Sequence, residues 1–337
     1  MRHGIIASGN WIVDSVKTID TLPAAGACAT VYTVERSGGG APHNVLVDLA
    51  CLKADLPLWA HGAIGDDEGG LFLRRRLVTH GVDTSHLRTT PQAPTSFADV
   101  MNARDTNART FFHFAGANAL LAPAAFEDIG VSARIFHLGY LLLLPLLDAP
   151  DPQFQTGAAR ALASLTHQGY KTSVDVISSA CGDYRLVLPS LPHTDYLIVN
   201  EIEAGGVVGA ALRRADGALD WQAVVAAARS LRDAGVREVV VIHFPEGAHA
   251  LAADGHEATV SSFRVPPQEI QGTVGAGDAF CAGMLFALHE GMGLQECLRF
   301  ANANARFNLL SSTSTDGARP LAEVLRYLEA DQSRRTP

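Results

Sequence analysis

Between residues 135 and 243, short β-prone apolar runs alternate with helix-forming segments, and that rhythm leaves few architectures open. Ile135–Tyr140, Thr172–Val176, Tyr196–Val199 and Val236–His243 read as strands; Ala158–His167 and Gln222–Arg232 read as helices, the second closed by Gly235. Strands separated by helices favour a parallel sheet covered on both faces. The first third of the chain can join the same sheet. Gly4–Gly9 reads as a buried strand, with Asp14 just past its end, and Leu58–Ile64 as another. Helices are expected at 45–52, after the glycine-rich loop Ser37–Asn44, and at about 70–80. Residues 16–36 and 95–114 are β-prone but stand apart from the rhythm, and they are expected to pair into a small separate sheet.

Length and composition fit one large α/β unit: 337 residues, 47% hydrophobic and 18% charged. The expectation is a single domain over 1–337, with a polar tail at 331–337. A formal net charge of −9 argues against a general nucleic-acid surface. Lys17, Lys53 and Lys171 are the only lysines and none follows a glycine, so a Walker-type phosphate loop is absent. Cys28, Cys51, Cys181, Cys281 and Cys297 are scattered and never in C-x-x-C spacing, which favours reduced thiols and a cytoplasmic setting. The N-terminal apolar run is too short for a signal peptide, and Leu141–Leu144, broken by Pro145, is the nearest thing to a membrane span. His43, His113 and His137 read as hydrogen-bonded structural histidines, and no pair has metal-ligand spacing.

Chemistry concentrates in Gly272-Thr273-Val274-Gly275-Ala276-Gly277-Asp278, which runs into an apolar helix carrying Phe280, Gly283, Met284 and Leu288. Free backbone N–H groups and the dipole at such a helix start favour an anion. Gly275, Ala276 and Gly277 lack bulk, as a backbone approaching a ligand requires. Two roles stay open for Asp278: capping the helix, or accepting the proton of a hydroxyl that attacks a phosphoryl group.

Four segments together resemble the ribokinase-like carbohydrate kinases, the PfkB family. Gly272–Phe280 resembles the late signature D-T-x-G-A-G-D-x-F. Gly39-Gly40-Ala41-Pro42-His43-Asn44 with Gly62–Gly69 resembles the early one. Asn200-Glu201-Ile202-Glu203 resembles N-x-x-E, and Gly116-Ala117-Asn118 resembles the G-A-N segment returning from the lid. The resemblance spans the chain and implies a three-layer α/β/α fold, with a mostly parallel central sheet and a small β-sheet lid. It implies an ATP-dependent kinase with Asp278 as base and the Gly275-Ala276-Gly277 turn as anion hole. Asp14, Gly39, Gly40, Asn44 and Asn118 would hold the substrate. Gly247, Thr273 and Asn302 would bind the nucleotide, and Asn200 and Glu203 would position Mg²⁺, Glu203 through water. On residue type alone, Asn200 serves equally as a helix cap and Asp14 as a turn residue.

The chain also departs from the family pattern. Gly272 stands where an Asp usually helps to bind a monovalent cation, so potassium activation is expected to be weak or absent. Phe244 replaces the first glycine of a G-x-x-G-A turn and would reshape the ATP site. The strand Phe136–Tyr140 offers no acidic residue for a ribose-like substrate. The expected partners are ATP and a small sugar, without nucleic acid or membrane, and with a homodimer through the lid. Alternatives are a nucleoside kinase, with Trp11, Phe97 or Phe112 stacking on a base, and a non-catalytic sugar- or nucleotide-binding homologue.

Overall fold

The computed structural model describes residues 2–106, 108–178 and 182–335, which leaves Cys181 outside. In chain order the elements are β1 (Ile5–Gly9), β2 (Ile12–Ile19), β3 (Val31–Gly39), α1 (Ala41–Cys51), β4 (Leu58–Gly65), α2 (Glu68–Thr79), β5 (Asp83–Thr90), β6 (Ser96–Ala103) and β7 (Arg109–Phe114). They continue with β8 (Ile135–Leu141), α3 (Pro145–Asp148), β9 (Pro150–Asp151), β10 (Gln155–Thr156), α4 (Gly157–His167), β11 (Lys171–Val176), β12 (Tyr196–Asn200), α5 (Glu201–Val208) and α6 (Trp221–Asp233). The last are β13 (Val239–Phe244), β14 (Gly247–Ala252), β15 (Glu257–Ser261), α7 (Ala276–His289), α8 (Leu294–Asn308) and α9 (Leu321–Arg335).

One sheet runs β15-β14-β13-β12-β11-β8-β1-β4-β5. From β5 to β13 all neighbours are parallel, and β14 and β15 extend the sheet antiparallel. The central strands are buried on both faces, which is why β1, β8, β12 and β13 carry near-continuous apolar runs. One core packs Val45, Leu49, Phe280, Met284 and Phe300 of α1, α7 and α8 on one face. The other packs Leu162, Leu165, Val224 and Leu231 of α4 and α6 against Phe136, Leu138 and Val240 on the opposite face. The result is three layers.

A second sheet, β3-β2-β6-β7, stands apart. Its middle pair β2–β6 is parallel and the outer pairs are antiparallel. Its own buried cluster is small: Ile12, Ala98 and Val100, with Val16 against them.

Local expectations differ from the structure in four places. Gly38 and Gly39 belong to β3 rather than a loop, because they pair with Val13 and Ile12, and α1 begins directly after Gly40. β5 (DTSHLRTT) has no apolar alternation to announce it. β14 (GAHALA) is built of small residues with weak strand preference. At the C-terminus, α9 continues through Arg335 where a polar tail was expected; Val324 is fully buried, Leu321, Tyr327 and Leu328 pack on the same core, and the polar last turns simply prolong that helix.

Candidate active site

The carboxyl ends of the parallel strands β1, β8, β11 and β12 meet the N-termini of α1 and α7, where open α/β sheets place ligands. Helix α7 starts at Gly275, whose φ is 77°. A Cβ there would lie 2.3 Å from the carbonyl oxygen of Ser314, so the turn closes only around a glycine. The first-turn N–H groups of Gly277 and Asp278 have no intrahelical acceptor. Gly277 is exposed, and a Cβ on it would meet only the His243 ring, at 3.5 Å. The cradle is open to a ligand.

Asp278 does not cap α7. Its Oδ2 accepts from Asn44 Nδ2 at 2.7 Å and its Oδ1 from the Tyr140 hydroxyl at 2.9 Å. Burial pushes this carboxyl up to about 6, against the opposing pull of those two donors. The capping role considered from sequence is therefore excluded by geometry. Tyr140 was not expected here. It stands next to last in β8 with φ 57°, its backbone N–H donates to Asp175, and its carbonyl accepts from Asn10 Nδ2 at 3.0 Å. Those two bonds fix a backbone conformation that non-glycine residues rarely adopt.

Asp14 lies in β2, and a Cβ on Gly39 would sit 2.1 Å from its Oδ2, so the bare glycine makes room for the carboxylate. Burial, then the charge of Asp278, raises Asp14 to about 7. Burial likewise raises Glu203 to about 7, opposed by hydrogen bonds from the Asn200 backbone and Ser178. Among the described residues no lysine or arginine pairs with Asp14, Glu203 or Asp278. They form a buried acidic cluster without its own cation.

Asn200 does cap α5: its Oδ1 accepts from the N–H groups of Ile202 and Glu203, and Glu203 Oε2 accepts from Asn200 N–H. Glu203 Oε1 also accepts from Asn200 Nδ2 and the Ser178 hydroxyl, both at 2.7 Å. The remaining positions divide. Asn44 orients Asp278 and accepts from the Ser314 hydroxyl at 3.2 Å. Asn118 is turned to the chain instead, with Oδ1 accepting from Trp11 N–H and Nδ2 donating to the Trp11 carbonyl; it anchors the entry to β2. Gly40 is the residue before α1. Gly247 has no room for a side chain, since a Cβ would lie 2.2 Å from the Val260 carbonyl oxygen of β15. Thr273 is exposed on the approach to α7, and Asn302 is buried in α8 with an Nδ2 that has no hydrogen-bond partner.

Three further expectations are corrected. Phe244 is buried edge-on against Trp221 of α6, ring centroids 5.3 Å apart, so it fills the core and leaves the space over Gly277 alone. Trp11 is fully buried with its indole N–H on the His61 carbonyl, and so cannot stack on a ligand. Phe97 and Phe112 pair in register with Val13 and with Asp99 opposite Ser15, which puts them on the face of the small sheet away from Asp14. His43 and His137 are fully buried, and burial draws them down to about 4 and about 3. Behind Asp278 the ligand atoms of His137, Asp175 and Cys281 lie within 4.8 Å of one another, a grouping that no spacing in the sequence announces.

A glycine-cradled helix start and a positioned carboxylate, at the strand ends of a doubly covered sheet, define an α/β enzyme of the phosphate-binding kind. The chain belongs to the pfkB family of carbohydrate kinases, whose model matches residues 9–320. It is 25% identical over 329 residues to a ribokinase of Haemophilus influenzae, covering 98% of this chain and 99% of that one. It is 27% identical over 315 residues to a probable chloroplastic fructokinase-6 of Arabidopsis thaliana, covering 89% and 75%. The fold matches that of Arabidopsis thaliana ribokinase, solved with ribose and ATP, at TM-score 0.79 and 21% identity over 98% and 99% of the two chains.

Proposed function

We propose that this kinase transfers the γ-phosphoryl group of ATP to a hydroxyl of a small sugar or sugar derivative, with Asp278 as the base. The observation that carries this reading is the Asp278 carboxylate, withdrawn from capping and aimed by Asn44 and Tyr140 beside the open N–H groups of α7. The acceptor hydroxyl gives its proton to Asp278 while its oxygen bonds to the γ-phosphorus. The bond from that phosphorus to the bridging oxygen breaks, and the electron pair leaves with ADP. The N–H groups of Gly277 and Asp278 stabilise the charge on the transferred group, with that of Ala276, which rests on the Thr273 carbonyl at 3.4 Å, turning to join them, and positioning supplies most of the acceleration. Asp14 and the backbone at Gly39 and Gly40 hold the acceptor's hydroxyls; Thr273, Gly247 and Asn302 border the nucleotide.

The uncompensated acidic cluster fits Mg²⁺, which would be held by Glu203 and Asn200 through water and would neutralise triphosphate charge. Gly272 brings no carboxylate to the turn, so no monovalent cation enters the proposal. The small sheet acts as a lid that excludes water from the transfer. Its outer face leaves Val34, Phe97, Phe112 and Phe114 exposed, and we assign a second copy of the chain to it.

The test is ADP release over a panel of pentoses, hexoses and nucleosides, with the product identified by mass. A phosphorylated sugar made only with Mg²⁺ is expected; a phosphorylated nucleoside alone would move the substrate class, and no turnover on any acceptor would overturn the reading. Tyr140→Phe is expected to shift the acid limb of the kcat/KM profile. Loss of the donated hydrogen bond removes one of the two pulls that lower Asp278, so its pKa rises above about 6. The limb should move to higher pH by about one unit, and an unmoved limb would show that the bond plays no part in tuning the base.

A further inference from the structure

The cavity under the small sheet is bordered at one end by Asp14 and at another by Arg109 of β7. Register places both on the same sheet face: Asp14 pairs with Ala98, Asn102 pairs with Arg109, and Ala98 and Asn102 are four residues apart on β6. That separation is about 13 Å along the strand direction, at about 3.3 Å per residue. An extended arginine side chain covers part of it.

One nitrogen of the Arg109 guanidinium is unsatisfied. Nη1 is buried with no hydrogen-bond partner, and no carboxylate pairs with it among the described residues. Glu35, the other acid bordering the cavity, is exposed and stands on β3, at the opposite edge of the small sheet from β7. Nη2 lies beside Gly272, at 3.5 Å from where a Cβ would stand. Arg109 is half-buried, and a guanidinium nitrogen shielded from water with no acceptor is costly unless an anion meets it. A bidentate guanidinium suits a carboxylate or a phosphate.

Building on the kinase reading above, we infer that Arg109 binds an anionic group carried by the acceptor, at the end remote from the reacting hydroxyl. The substrate class is then an acidic sugar or a sugar phosphate rather than a neutral sugar. The transferred phosphoryl group is the other anion within the site. The open space over Gly277 is flanked by His243, whereas Arg109 shares its cavity with Val274 and Ser312–Ser314 on the side of the small sheet. The acceptor therefore has the better access to the guanidinium.

The experiment compares wild type, Arg109→Gln and Arg109→Lys on neutral sugars (ribose, fructose), aldonic acids and sugar monophosphates, with ligand-induced Tm shifts measured alongside turnover. Wild type should prefer one anionic class, and which of the two it takes separates carboxylate from phosphate. Arg109→Gln should raise KM for that class by roughly 10- to 100-fold, leave neutral sugars unchanged and abolish the Tm shift given by the acid. Arg109→Lys should restore part of both. Phosphorylation of neutral sugars with no anionic acceptor used would overturn the inference while leaving the kinase reading intact. So would an Arg109→Gln defect confined to kcat on every acceptor or to KM for ATP, since it would place the guanidinium on the phosphoryl group. No turnover on any acceptor would remove both.

Discussion

Asp278→Asn is expected to lower kcat by about 10²- to 10⁴-fold, the usual range for a positioned general base, with little change in KM for ATP. It should do so without loosening the fold. The carboxyl's folded pKa of about 6 lies above its ordinary 3.8, so its contribution to stability is complete below pH 3.8 and is lost as pH rises through about 6. At neutral pH the wild-type protein thus carries a buried charge that the amide variant does not. Asp278→Asn should show a higher Tm than wild type above pH 6, with the gap closing toward pH 4. Activity and thermal denaturation measured across that range check both parts. Equal activity in the two proteins would remove Asp278 from the chemistry, and a variant less stable at every pH would show that the carboxylate is structural.

Gly275→Ala is expected to damage both activity and fold. The new Cβ meets the Ser314 carbonyl oxygen at 2.3 Å, and φ at 77° is strained for any L-residue. Relief requires the turn to move away from the Ser314 loop, carrying the N–H groups of Gly277 and Asp278 with it. Displacement on the order of 1 Å costs about 10²-fold in rate, and the strain about 1–3 kcal/mol of stability. Gly277→Ala is the control: its Cβ meets only His243, at 3.5 Å, so Tm should hold while ligand affinity falls. If Gly275→Ala keeps both rate and Tm, the close approach of the two loops is not part of the working structure.

The sequence made the parallel strands visible because a strand buried on both faces is apolar along most of its length, as Ile5–Gly9 and Val239–Phe244 are. It hid β5 and β14 because edge and small-residue strands carry no such pattern. The same division runs through the site. Gly275–Asp278 is legible because a ligand-approaching turn demands small residues, here Gly275, Ala276 and Gly277, next to a helix start. The partners that aim Asp278 are not, since Asn44 and Tyr140 stand 234 and 138 residues away and only strand order brings them together. Phe244 shows the converse: a residue that breaks a motif in the sequence can turn its ring into the core, here against Trp221. Nothing in the sequence marks Arg109, because a missing partner for one of its nitrogens shows only in space.

The small sheet also sets an order of assembly. Its central ladder joins Ile12 to Ser96, so nearly a quarter of the chain must be in place before β2 finds β6. Few buried side chains reward that closure, whereas each face of the large sheet has an extensive core. The small sheet should therefore be the last unit to form and the first to exchange its amide hydrogens. A site with its floor on a rigid scaffold and its roof on such a unit can admit and release ligands by local opening, without disturbing the strands that hold Asp278.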